Sequence, residues 1–381
     1  MGCQLYENCG GCVYRQLQRS DYQKQKENNV RALIEKNLGD LKNVWEPAVF
    51  LPDGRRRRAA FAFKLKGQKL LLGFNASKSD EIEDIKHCEM LTENINAALG
   101  DIRSLVCKLC AIEIGGGKKR KQMQIKHLNA GDLQILEAEN GLDVVLEADV
   151  DLNIDHRFEI ADFMNAHENF IRFSFRKKHA WEAEPIVQKT KPFIKIGQRN
   201  VFVSAGDFLQ PSKEGEQALI GLVLKYVGES RGKMADLFCG VGTFSYVLAE
   251  LEKTTVLSVD ASKTLLDCFE KSVNADMITN IQIMQKDLFL YPLTKEELKN
   301  FKVVVLDPPR AGAKRQVEEL CKIENEERPE KIVFVSCNPL TFARDAKILT
   351  AGGYGLRKIA LTDQFVYSDH SEIVALFTNE K

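Results

Sequence analysis

Five apolar runs in the second half of the chain constrain its fold more than any other feature: MADLF (234–238), TTVLSVD (254–260), IQIMQKD (281–287), KVVVLDPP (302–309) and KIVFVSC (331–337). Each is too short and too continuously apolar for an amphipathic surface helix, and each alternates with a longer stretch of helical spacing. That rhythm predicts an α/β architecture, a Rossmann-like parallel sheet with helices on both faces. The runs also end on chemically loaded residues: Asp236 through Phe238, then Asp260, Asp287, Asp307 and Cys337. In an open α/β sheet the carboxyl ends of the strands form the ligand-binding rim.

Residues 1–195 have a different grain. Alternating runs such as AAFAFKLKGQKLLLGF and KQMQIKHLNAGDLQILEAENGLDVVLEA are broken by Asn-Gly and Ala-Gly-Asp. Those breaks read as hairpins, so this half is expected to be a mainly antiparallel β domain. LTENINAALGDIRSLVCKLCAI has helical spacing and is expected to pack on that sheet, with Cys107 and Cys110 in the core. The domain boundary is placed between residues 195 and 196, without a Pro- or Ser-rich linker.

The 54 basic and 54 acidic residues cancel, but the basic ones cluster as RRRR (55–58), KKRK (118–121) and RFSFRKK (172–178). With Phe173 and Phe175 interleaved, the last run reads as an electrostatic footprint with stacking platforms for a polyanion. The N-terminus has no apolar signal region, and no 18-residue apolar run exists, so a cytoplasmic chain without a membrane span is expected. Ten cysteines then point to metal, catalysis or reduced thiols rather than disulfides. Cys3, Cys9 and Cys12 make a C-x5-C-x2-C cluster, and Cys88 is the best fourth ligand. Four such thiolates suit zinc or an iron–sulfur cluster, which spacing alone does not separate.

DLFCGVGTF after the first parallel strand supplies Gly240 and Gly242 for a tight turn with close backbone approach. Asp260 follows at the distance expected of a ribose hydroxyl partner. The third glycine of a dinucleotide fingerprint is missing, which favours a nucleoside without a pyrophosphate, such as S-adenosylmethionine. Asp287 is placed to accept from an adenine amino group, and the prolines of LDPPR hold Asp307 at its strand end. FVSCNP lifts Cys337 out of a strand at a turn. If the last strand (EIVALF) runs antiparallel, its first residue, Glu372, lies on the same rim, with His370 nearby. An exposed thiol, a carboxylate base and a methyl donor are what methylation of uracil carbon 5 needs. Thiolate addition at carbon 6 makes carbon 5 nucleophilic, and the carbon 5 proton must leave afterwards.

CQLYENCGGC, FLQPS, DLFCGVGTF, LDPPRAG, VSCNPLTFARD and DQFVYSDHSE together resemble, in order and across almost the whole chain, the iron–sulfur branch of the RNA uracil-C5-methyltransferases. The resemblance implies a class I methyltransferase domain over 196–381, with the cysteine segment and an RNA-binding β domain over 1–195. It implies a [4Fe-4S] cluster on Cys3, Cys9, Cys12 and Cys88. Cys337 would be the nucleophile and Glu372 the base. Gln210, Phe238, Asp260, Asp287 and Asp307 would surround S-adenosylmethionine and the target uracil. The expected substrate is a single-stranded or loop uridine of 23S ribosomal RNA, with transfer RNA, or a non-catalytic metal-bound RNA-binding protein, as alternatives. DNA is not an expected partner, and a monomer is expected. The sequence departs from the family where Asp260 replaces a Glu and where Val366-Tyr367-Ser368 replaces a Pro- and aromatic-rich turn.

Overall fold

In chain order the computed structural model, which describes residues 3–115 and 126–380, begins with α1 (Arg19–Leu38), β1 (Val49–Phe50), β2 (Arg58–Lys66), β3 (Lys69–Asn75), β4 (Ile82–Asp84) and α2 (Glu93–Ala111). Next come β5 (Ala130–Ala138), β6 (Gly141–Ala148), α3 (Ile154–Ala166), β7 (Phe170–Lys177), β8 (Glu184–Gln188), β9 (Phe193–Ile196) and β10 (Arg199–Phe202). The remainder is α4 (Lys213–Val227), β11 (Gly232–Leu237), α5 (Thr243–Ala249), β12 (Thr254–Asp260), α6 (Lys263–Ala275), β13 (Ile281–Gln285), α7 (Lys295–Leu298), β14 (Val303–Leu306), α8 (Lys314–Cys321), β15 (Lys331–Ser336), α9 (Pro339–Ala351), β16 (Tyr354–Asp363) and β17 (Glu372–Asn379).

The chain divides into two compact units. One comprises Met1–Gln16, Pro52–Ile194 and Val203–Ser212, the other Leu17–Leu51, Lys195–Phe202 and Lys213–Lys381. A single boundary at 195/196 therefore misplaces residues 17–51 and 203–212. For residues 17–51 the physical reason is that α1 buries Tyr22, Lys26, Val30 and Ile34, one residue every four, in the second unit. β1 likewise adds a parallel strand beside β16, with Phe50 opposite Asp363.

The first unit is built on a seven-stranded sheet of order β4-β3-β2-β5-β6-β7-β8. Every pairing is antiparallel except β6 with β7, which the α3 crossover joins in parallel. Alternate residues of β2 (Ala59, Phe61, Phe63) share one core with Ile95, Leu99, Ile102 and Val106 of α2, as period-2 and period-3.6 patterns require. Phe173 and Phe175 belong to that same core, so they are not stacking platforms. The neighbouring cations are spent inside the fold as well. Arg172 is buried and doubly bonded to Asp143 at 2.8 and 2.6 Å, and Arg176 bonds Glu147 at 2.7 Å. KKRK (118–121) lies outside the described residues. Exposed aromatic surface in this unit includes instead Trp181, 98% exposed between β7 and β8, Phe158 on α3 and Phe208. Cys110 is in the core as expected, whereas Cys107 is exposed.

The second unit carries an eight-stranded sheet of order β1-β16-β17-β15-β14-β11-β12-β13. β11 to β15 pair in parallel, and β17 lies antiparallel between β15 and β16. Two cores cover its faces, one with side chains of α1, α8 and α9 and the other with side chains of α4 and α5. This is why all four residues of β14 are buried and why the strand reads as an unbroken Val-Val-Val-Leu.

Candidate active site

The site lies on the second unit's rim. β15 ends at Ser336, which pairs with Ile373 across the antiparallel junction. Cys337 follows Ser336 and Glu372 precedes Ile373, so the junction brings both residues to the same rim, where the Glu372 charge acts on the Cys337 thiol. Asn338 and Pro339 make the turn: Asn338 caps α9 by accepting from the Leu340 N–H at 3.1 Å, and Pro339 takes the first helical position. The Asn338 side chain also donates to the Arg310 carbonyl at 3.0 Å, which Thr341 Oγ1 engages too, at 3.1 Å. A strand stop, a helix start and the fixing of the Asp-Pro-Pro-Arg loop thus share one residue.

The ionisable groups here are displaced from their ordinary ranges. Burial, then the Glu372 and Asp307 charges, push the Cys337 thiol up to about 11, with Arg310 opposing. Burial and Asp307 raise Glu372 to about 8, against a hydrogen bond from Gln364 and the charges of Arg310 and Lys26. Asp307 rises to about 7, through burial and the carboxyls of Asp236 and Asp260. A carboxyl near 8 holds its proton at neutral pH yet is a competent base once ionised, the tuning that proton abstraction favours. His370 does not act alone: its Nε2 lies 3.0 Å from Arg310 Nη2.

At the neighbouring strand ends Phe238 (φ 63°), Gly240 (φ 56°) and Gly242 (φ 88°) turn the chain through left-handed conformations. A side chain at Gly242 would collide with the Phe269 ring, whereas one at Gly240 would meet no atom within 4 Å. Gly240 therefore lines open space where a ligand can approach the backbone. Asp260 braces this loop, one carboxylate oxygen accepting from the Gly240 N–H at 3.0 Å and the other from the Ser262 N–H at 2.8 Å. Asp287 turns its own loop, Oδ1 accepting from the Phe289 and Leu290 N–H groups at 2.9 and 3.2 Å. Phe289 packs against Phe238 at 5.4 Å between ring centroids. Asp236 is not a rim residue: its fully buried carboxyl accepts from Ser245 Oγ at 2.6 Å, inside the fold. These residues fit a nucleoside with a neutral linkage, since the loop offers no phosphate cradle. Gln364 and Phe289 carry no sequence pattern that marks their role, whereas Asn338-Pro339 does, as a turn and capping pair directly after a strand.

The cysteine segment belongs to the first unit. Cys9 forms an antiparallel bridge with Ala76, and the Gly10 N–H donates to Asn75 O at 3.0 Å. Asn96 fixes Cys88 from both sides, accepting from its N–H at 2.9 Å and donating to its carbonyl at 3.1 Å. Arg15 joins the two stretches by ion pairs to Asp53 and Glu89. The thiols share one electrostatic neighbourhood. Burial pushes Cys12 up to about 11, with Arg56 opposing and Cys88 and Cys9 adding to the rise. Burial likewise raises Cys9 and Cys88, each with a contribution from another thiol, Cys3 for Cys9 and Cys9 for Cys88. A cavity of about 230 Å³ lies beside Cys9 and Cys12. The expected closed four-cysteine centre is nonetheless not formed. Among the described residues no group of three or more His, Cys, Asp or Glu side chains is arranged to hold a metal ion. The donors have the chemistry for an iron–sulfur cluster and the neighbourhood, but not the convergence. Gln210 also belongs to this unit, where its carbonyl accepts from Arg57 Nε at 3.1 Å.

The profile of the family described as tRNA (Uracil-5-)-methyltransferase matches residues 169–380. An uncharacterized RNA methyltransferase of Brucella melitensis is 35% identical over 377 residues, covering 99% of this chain and 83% of its own length. The 23S rRNA (uracil(1939)-C(5))-methyltransferase RlmD of Aeromonas salmonicida is 27% identical, covering 98% of this chain and 81% of its own. Among solved structures, the Pyrococcus abyssi tRNA (uracil-54, C5)-methyltransferase in complex with S-adenosyl-L-homocysteine superimposes with a TM-score of 0.71 at 23% identity. That match covers 97% of this chain and 86% of the other, and it shows a shared methyltransferase fold. No described helix is long and apolar enough to cross a membrane.

Proposed function

This chain belongs to the tRNA (uracil-5-)-methyltransferase family, and from that premise we propose how its own residues methylate carbon 5 of an RNA uridine with S-adenosylmethionine. The observation that supports the proposal is the Ser336–Ile373 pairing, which Cys337 follows and Glu372 precedes at the sheet rim, together with the Glu372 charge acting on the Cys337 thiol. Cys337 Sγ, once deprotonated, bonds to carbon 6 of the uracil, and the pyrimidine electrons move onto carbon 5. S-adenosylmethionine, when bound, supplies an electrophilic methyl group to that carbon. Glu372 then accepts the carbon 5 proton, and the electron pair released expels the Cys337 thiolate and restores the ring. Arg310 favours the ionised forms of both residues. Phe238, Gly240, Gly242, Asp260, Asp287 and Asp307 hold the nucleoside and uracil in this reading, and Gln210 is carried over from the family motif FLQPS.

The target base must leave its stack to reach the rim, which a single-stranded or loop uridine does at low cost. The proposed substrate is 23S ribosomal RNA. The RlmD relative supports it, and the description of the matching family favours transfer RNA as the second reading. We assign Cys3, Cys9, Cys12 and Cys88 to a [4Fe-4S] cluster, which would draw the four neighbouring thiols together as thiolates. Its proposed role is to shape or position the RNA-binding unit, since no step above needs it. The test is to incubate the protein with S-adenosylmethionine and unmethylated 23S or transfer RNA and then analyse the nucleosides. 5-Methyluridine in the 23S RNA is expected, its appearance in transfer RNA alone favours the second reading, and its absence from both overturns the proposal.

A further inference from the structure

Residues 17–51 supply no group to the chemistry above, yet side chains of α1 reach the segment that carries Glu372. Lys26, only 2% exposed, donates to Asp363 Oδ1 at 2.5 Å and to the Phe365 carbonyl at 3.2 Å. The Tyr22 hydroxyl donates to Asp363 Oδ2 and accepts from the Tyr367 N–H at 2.8 Å, and the two tyrosine rings lie 4.6 Å apart. β1 sets Phe50 opposite Asp363, and the next residue, Leu51, donates its N–H to the Asp363 carbonyl at 3.4 Å.

A buried ion pair is weak evidence of stabilisation, because removing both charges from water offsets most of their attraction. Here the pair has something to place. Asp363 is the last residue of β16 and Glu372 the first of β17, so the loop between them has Asp363 at one end and the proposed base at the other. Gln364, next to Asp363, bonds the Glu372 side chain. Within the loop Tyr367 has φ 60°, a left-handed conformation that a bulky residue keeps only where its surroundings hold it. Tyr22 does so by both hydrogen bond and ring contact.

We propose that Tyr22 and Lys26 are positioning residues for the methylation reaction, clamping Asp363 and the 364–371 loop so that Gln364 holds the Glu372 carboxyl at the rim it shares with Cys337. The inference rests on reading Glu372 as the base. The charged and titratable groups facing Glu372 are Asp307 and Cys337, which oppose its ionisation, and Arg310 and Lys26, which favour it. Replacing Lys26 removes one of the two cations and leaves Asp363 without its cationic partner, so the base ionises at higher pH.

Full-length Lys26→Met and Tyr22→Phe are to be assayed for methyl transfer from pH 6.5 to 9.5, with covalent trapping on 5-fluorouridine RNA in parallel. Lys26→Met is expected to lower kcat roughly tenfold at pH 7.5, less than the contribution of about 10²- to 10⁴-fold of a general base, because the base is displaced and not removed. It is also expected to shift the rising limb of the kcat profile to higher pH. KM for RNA and adduct formation should hold, since carbon 6 attack precedes proton removal. Tyr22→Phe should show a smaller loss in the same step, and it decides the matter if Lys26→Met does not fold. Unchanged kcat and pH profile overturn the clamp. So does a parallel loss of adduct, RNA affinity and turnover with no shift in the profile. No adduct with the unsubstituted chain overturns instead the Cys337–Glu372 reading beneath it.

Discussion

Burial pushes both Cys337 and Cys12 up to about 11, yet what surrounds the two thiols suits them to different work. Beside Cys337 stand the carboxyls of Glu372 and Asp307 and one arginine, Arg310. Beside Cys12 stand two more thiols, Cys88 and Cys9, with Arg56 and Arg15 opposing the rise. In both places the apolar surroundings keep sulfur protonated until something arrives. At the rim, an electrophilic ring carbon can take up the thiolate while a carboxyl waits for a proton. In the N-terminal segment the proposed cluster would hold several thiolates at once. Desolvation sets the resting state of each thiol, and its neighbours set what can release it.

The widest separation of the two regions is expected from single thiol deletions. Cys337→Ala should cut methyl transfer by at least about 10⁴-fold, as removal of a covalent nucleophile does, whereas Cys12→Ala should leave turnover on intact RNA within about tenfold under the non-catalytic role proposed for that segment. Comparable losses would erase the distinction. Glu372→Gln sharpens the rim's side of it: turnover should fall by about 10²- to 10⁴-fold while the Cys337–RNA adduct persists, measured by denaturing gel.

The pH response follows from the same carboxyl. Glu372 is raised from an ordinary 4.5 to about 8, so the base form grows as pH rises, and kcat should climb between pH 6.5 and 8.5. The stability effect has the opposite direction. A carboxyl that binds its proton more tightly when folded contributes stability that is complete below about 4.5 and lost as pH rises through about 8. Glu372→Gln should therefore raise Tm at pH 8.5 relative to the parent and leave it nearly unchanged at pH 4. A Tm difference that is the same at both values would contradict the burial described for this side chain. The smallest expected effect on catalysis comes from Cys9→Ser, which should abolish bound iron and its visible absorption while kcat changes little. Retained iron would remove Cys9 from the cluster.

Much of the second unit was legible because its strands are buried on both faces and so read as unbroken apolar runs. The rim residues Asp260, Asp307 and Cys337 follow from where those runs stop. The place of Glu372 followed once the last strand was taken as antiparallel. α1 was hidden because its buried stripe is Tyr22-Lys26-Val30-Ile34, with a lysine where an apolar residue would have declared the packing. RFSFRKK misled for a related reason. In β7 the phenylalanines face one core and Arg172 meets a buried carboxylate from β6, and sequence alone does not reveal that Asp143 neutralises it. Spacing marks the four cysteines as candidate ligands, but whether their sulfurs converge is a tertiary property that spacing does not encode.

The most direct test is mass analysis of peptides from the protein trapped with S-adenosylmethionine on 5-fluorouridine RNA. With fluorine in place of the carbon 5 proton the final elimination is blocked, so the account predicts a methylated fluorouridine nucleotide attached to the peptide containing Cys337. An adduct on another residue, or none in a preparation that still makes 5-methyluridine, would contradict it.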